Sequence, residues 1–128
     1  MSLRDARVEP AVPVSDMAEA RAFYETKLGL SDGRQIFDGG ITYPCGEGRE
    51  LHIYPSPANA GASGGTVAAW EVVDLAKTVD ELTANGVIFE HYDGDRLKTD
   101  DKGIAELGED RGAWFKDPDG NTFGLIQR

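Results

Sequence analysis

Residues 115–128 read "FKDPDGNTFGLIQR". Asp117, Asp119 and Asn121 alternate as they do at the head of a calcium loop. An EF-hand loop needs glycine at its sixth position and a bidentate glutamate at its twelfth. Counted from Asp117, those positions hold Thr122 and Arg128. Flanking helices are also missing, so the stretch reads as a tight turn. Pro118 presets the first corner and Gly120 can take positive φ. Phe115 before the turn, with Phe123 and Leu125 after it, then belong to two paired strands.

Working back from that hairpin, the chain reads as two similar halves. "VEPAVPV", residues 8–14, is short, apolar and proline-bearing, which suits an edge-like strand. Asp16 follows with Glu19 three residues on, a capping box. Met17, Ala20, Tyr24 and Leu28 recur at helical spacing and Gly29 supplies the stop, so a helix is expected over 17–28. The second half repeats this. "TVAAWEVV" (66–73) reads as a strand, Asp74 caps a helix carrying Leu75, Val79 and Leu82, and Asn85-Gly86 ends it. The offset is 58 from Asp16 to Asp74 and 57 from Gly29 to Gly86, which suggests an internal duplication, the alternative being a chance match of two common motifs. Strand candidates follow each helix: "SDGRQIF", "GGITYPC" and "RELHIYP" in the first half, "VIFEHY" (87–92), "GAWFKD" and "NTFGLIQ" in the second. "SPANAGASGG" is a flexible linker by composition. Residues 93–112 are expected to form a long polar loop, either functional or mobile.

The totals bound the function. The 128 residues suit one domain with a real core, and the formal charge of −10 repels phosphate backbones and acidic lipid. Nucleic acid and membrane surfaces are therefore poor partners. The single Cys45 excludes an intrachain disulfide and points to a reducing compartment, the cytoplasm. No apolar run reaches membrane-span length, and no signal-peptide pattern opens the chain.

"AVPVSDMAEARAFYETKLGL" (11–30) and "AWFKDPDGNTFGLIQ" (113–127) together resemble the vicinal oxygen chelate superfamily, which holds glyoxalases, bleomycin-resistance proteins and extradiol dioxygenases. The resemblance implies an α+β fold of two βαβββ modules curving a mixed sheet around a cleft, completed in a homodimer. The modules are placed at 7–57 and 66–128 of a single domain, joined by a linker at 58–65. It also implies a metal carried by four His, Gln or Glu ligands, two from each module. The matching positions here are Glu9, His52, Val67 and Gly124. Two of these cannot coordinate. A divalent ion needs about three or more protein ligands to compete with water. No resident metal is therefore expected. The alternative is a displaced divalent-metal site on Glu9, His52 and Glu71.

The remaining candidates follow from strand parity. His52 alternates with Glu50 and Tyr54 on one face while Leu51 and Ile53 turn to the helix side; a polar strand face is expected where it lines a cavity or water. Glu71 shares the cleft face of Val67 and Ala69. Trp70 reads as core; Trp114 covers the cleft or packs on a partner. The cleft candidates are thus Glu9, His52, Tyr54, Glu71, Tyr92 and Trp114. Each also has an ordinary reading, Glu9 as a solvated strand-edge charge and His52 as a histidine with no special role. His91 is expected near the surface, and Cys45 has no visible base. The expected function is binding of a small organic molecule in a cleft without a complete metal site, the acidic balance suiting a cationic ligand. The alternatives are a metal-dependent lyase, isomerase or dioxygenase using Glu9 and His52, or a metal-free enzyme with Glu9, Glu71 or His52 as general base.

Overall fold

The structure, a computed structural model, describes residues 2–128. Strand β1 (Ala11–Val14) leads into a helix, α1, that is α-helical over Met17–Arg21 and widens to π geometry over Ala22–Lys27. Strands β2 (Arg34–Gln35), β3 (Ile41–Pro44) and β4 (Glu50–Pro55) complete the first unit. The second contains β5 (Thr66–Glu71), α2 (Leu75–Ala84), β6 (Ala105–Leu107), β7 (Asp110–Lys116) and β8 (Thr122–Gln127). The two four-stranded sheets have matching orders, β1-β4-β3-β2 and β5-β8-β7-β6. In each, the first strand pairs parallel with the last. The duplication inferred from the two caps and two glycines therefore extends to topology, and β1 with its Pro13 is an edge strand as expected.

Local chemistry explains the helix ends. Asp16 accepts a hydrogen bond from Glu19 N–H at 3.1 Å and Asp74 accepts from Lys77 N–H at 3.1 Å. Glu19 itself is exposed, and among the described residues only the Asp16 half of the expected box is formed. Gly29 (φ 77°) and Gly86 (φ 99°) are left-handed where the helices stop. The π turn, with Leu28 N–H donating to Phe23 O at 3.1 Å, sets Phe23 and Tyr24 side by side into the core.

One core serves both sheets. Tyr24, fully buried, lies 6.5 Å from the Tyr43 ring of the first sheet and 5.8 Å from Phe123 of the second. Trp70 stacks on Phe115 (6.2 Å, 14°) and packs against the core while remaining half-buried, so it is core on one side only. The opening turn is the latch between the units. Its buried Asp117 accepts from Tyr24 Oη (2.6 Å), Asn121 Nδ2 (2.9 Å), Asn121 N–H (2.8 Å) and Asp119 N–H (3.0 Å). Asn121 Nδ2 also donates to Pro13 O at 2.8 Å, and Ser15 donates to Asp119. Gly61 donates to Asn121 Oδ1 at 3.1 Å and approaches Asp119 O so closely that a Cβ would collide with it. Burial, then the Asp117 carboxylate, pushes the Tyr24 phenol far above its ordinary range.

Four expectations need correction. Strand β1 starts at Ala11, so Glu9 precedes it. "SDGRQIF" is extended as a paired strand only at Arg34–Gln35, because Ile36 to Gly40 closes a turn. "VIFEHY" is not a continuous strand. Phe89 bridges Phe115 and Glu90 N–H donates to Trp114 O at 2.8 Å, while β6 takes the same edge of β7 along Asp110–Gly112. The expected loop 93–112 thus contains β6 and is strapped down. Asp100 accepts from Ile104 N–H and Lys102 N–H, which hold its carboxyl below the usual range, and Ile104 and Ala105 are buried.

Candidate functional site

Each sheet turns one face to the core and one outward. Along β4, Leu51 and Ile53 are buried while Glu50, His52 and Tyr54 are half-buried, as their parity predicted. In register with His52 stand Ala11 on β1 and Thr42 on β3. The His52 and Tyr54 rings are 5.4 Å apart. On the second sheet, Ala69, Gly124 and Trp114 form a cross-strand row.

That row explains Gly124. The Trp114 indole lies against the sheet between two glycines. A Cβ at Gly124 would meet its Nε1 at 3.3 Å, and a Cβ at Gly112 would meet its Cη2 at 3.1 Å. Both glycines are buried beneath the ring, which is itself half-buried. Tyr92 stands edge-on at 5.9 Å and 70°. The result is a broad aromatic surface with one supporting wall. A carboxylate at position 124 would need the volume that the indole holds.

The residues do not fit a metal. Among the described residues no three His, Cys, Asp or Glu side chains come together. Glu9 pairs with Arg7 at 3.6 Å and exposed Glu71 pairs with Arg128 at 2.6 Å. His52 Nε2 lies 3.1 Å from Asp38 Oδ2, off the line of N–H donation. The nitrogen is sealed from solvent and makes no hydrogen bond among the described residues. The ion-pair distance and the unmade bond are compatible, because proximity sets the first and angle the second. The displaced set Glu9, His52 and Glu71 is therefore not assembled within the chain.

Four of the six cleft candidates fall into two groups, His52 with Tyr54 and Tyr92 with Trp114, and no bond or ring contact among the described residues joins them. Glu9 and Glu71 belong to neither. His91 is exposed, as expected. Sequence reasoning missed Asp38, although Asp-Gly-Gly at 38–40 was a visible turn signal. Glu71, one of the cleft candidates, instead lines a groove of about 490 Å³ between the units, together with Pro10, Glu50, Leu51, Ala68 and Trp70; the other walls of that groove were not read from the sequence.

The sequence pattern of the Glyoxalase/Bleomycin resistance protein/Dioxygenase superfamily matches residues 7–125. No curated protein sequence matches the chain. Among solved structures, a glyoxalase/bleomycin resistance protein from Streptomyces sp. CB03234 is 26% identical with a TM-score of 0.68, over 95% of this chain and 100% of that one. A second, from Catenulispora acidiphila DSM 44928, is 23% identical with a TM-score of 0.67, over 95% and 97%. TnmS3, an antibiotic binding protein from Streptomyces sp. CB03234, is 24% identical with a TM-score of 0.65, over 95% of each chain.

Proposed function

The chain belongs to the glyoxalase/bleomycin resistance protein/dioxygenase superfamily, and from that premise we propose that it binds a small organic molecule with a flat aromatic ring, without a resident metal. The observation that carries this reading is the half-buried Trp114 indole, laid over Gly112 and Gly124 with Tyr92 edge-on and part of its surface open. A ligand ring stacking there gains about 0.5–1.5 kcal/mol beyond its buried area. The second unit, 66–128, supplies this surface. The formal charge of −10 favours a cationic ring. A fold shared with an antibiotic binding protein is consistent with this use and adds no residue-level detail.

The protein works as a homodimer in the cytoplasm on this reading. Strands β1, β2, β5 and β6 end their sheets, and a second copy covers such edges and encloses the outward faces. A metal-dependent or metal-free enzyme of the same fold remains the alternative, but the ion pairs of Glu9 and Glu71 count against their use as ligands or bases.

The test is an NMR titration with proflavine, a flat cationic ring. The Trp114 indole N–H should shift saturably while Trp70 stays still, chelator should change nothing, and Trp114→Ala should weaken binding roughly tenfold. Equal binding by Trp114→Ala, or a response centred on Trp70, would sink the reading.

A further inference from the structure

We propose that Asp38 and His52 form a polar subsite on the outward face of the first sheet, which accepts a hydrogen bond from an O–H or N–H group on a ring-bearing ligand. The inference rests on the reading that these outward faces take a small organic molecule, and adds the ligand chemistry that one of them selects.

The geometry begins with Asp38. Its Oδ1 accepts from Gly40 N–H at 2.8 Å, which fixes the carboxylate within the turn before β3. Its Oδ2 is thereby held 3.1 Å from His52 Nε2. That nitrogen is buried without a hydrogen bond. A lone pair on Nε2 would face a carboxylate oxygen, which is repulsive; an N–H there is attracted even off-line. Asp38 therefore favours the tautomer with the proton on Nε2. The lone pair then sits on Nδ1. Among the described residues nothing bonds Nδ1, and it is not sealed as Nε2 is.

The surroundings suit a ligand ring. Ala11, beside His52 on β1, is short and exposed. Thr42, on the other side, turns its hydroxyl to Arg34 O at 3.4 Å and offers no competing donor to the face. Tyr54 lies 5.4 Å from His52, so a ring resting on Tyr54 can bring a substituent to Nδ1. A neutral ring with a donor would satisfy Nδ1; the same ring with only an acceptor would leave it unpaired. Asp38 is the positioning residue and His52 the contact residue.

The test separates this from the aromatic reading. Imidazole nitrogen NMR of the ligand-free protein, in mildly alkaline buffer where an ordinary imidazole is neutral, should show His52 protonated on Nε2. Asp38→Asn keeps an oxygen for Gly40 N–H and turns an amide N–H toward Nε2. It should move the proton to Nδ1 with the fold intact. Phenol should then bind wild type about fivefold more tightly than anisole, as one hydrogen bond allows, with shifts at His52. Asp38→Asn and His52→Phe should each abolish that preference. A wild-type proton on Nδ1, a tautomer unchanged by Asp38→Asn, equal binding of phenol and anisole, or no binding of either would overturn the subsite. None of these results touches the proflavine response at Trp114, which is judged separately.

Discussion

Replacing Tyr24 by Phe tests whether the terminal turn latches the two units together. The substitution leaves the ring, and with it the contacts to Tyr43 and Phe123, but removes the 2.6 Å bond to Asp117. Hydrogen bonds to charged groups contribute about 1.5–3 kcal/mol. Asp117 keeps its donors from Asn121 Nδ2, Asn121 N–H and Asp119 N–H, so its carboxylate is not stranded. The cost should lie at the lower end, about 1.5–2 kcal/mol, or roughly 5–10 °C in Tm. Asp117→Ala should cost about 3–5 kcal/mol, because it strands the buried Tyr24 hydroxyl and frees two backbone donors of the turn. Urea unfolding of the two single variants and the double variant gives the coupling, expected to exceed about 1 kcal/mol at unchanged m. A Tyr24→Phe cost below about 0.5 kcal/mol, or the same cost with and without Asp117, would refute the latch.

Two further outcomes follow from the same region. Gly61→Ala should destabilise by about 2–4 kcal/mol, because its Cβ collides with Asp119 O and the bond to Asn121 is lost, whereas Gly120→Val should cost only about 1 kcal/mol, its φ of 90° being unfavourable but its surroundings open; equal losses in urea would contradict this. Stability should also fall above about pH 10: the unfolded tyrosine ionises there, while folded Tyr24, raised by burial and by Asp117, keeps its proton, so the unfolded state binds fewer protons and stability is lost at up to about 1.4 kcal/mol per pH unit. Tyr43, raised first by burial and then by Glu25, adds to the fall, and Tyr24→Phe should make it shallower in alkaline urea titrations.

The legible parts of the fold were those decided by near neighbours in sequence. Asp16 and Asp74 cap their helices through bonds three residues away, and Gly29 and Gly86 stop them by their own φ. The alternation along β4 survived because one face is sealed against the core. What sequence could not supply was the outcome of competition between distant segments. Residues 87–92 have strand character, yet β6 and Phe89 divide the edge of β7 between them. The polar composition of 93–112 concealed two anchors, Ile104 and Ala105, whose burial depends on that edge. Asp38 was unreadable for the same reason. Its role toward His52 exists only because a turn 14 positions earlier in the chain folds over β4.

The site shows the limit most clearly at Gly124. Read alone, this glycine is a ligand position without a ligand. Its meaning comes from register: the turn from Asp117 to Asn121 pairs Lys116 with Thr122, and two steps further on Trp114 with Gly124. Gly112 shares the Trp114 face two residues earlier on the same strand. A tryptophan with a bare position across from it and another beside it can lie flat on the sheet, and the structure has the ring there. The register was derivable once the turn had been recognised; the direction of the indole was not, because it depends on a rotamer set beside Tyr92, a residue of a distant segment. The bare position at 124 and the placement of the indole therefore go together, since a side chain there would press on the Trp114 ring from a Cβ 3.3 Å from its Nε1.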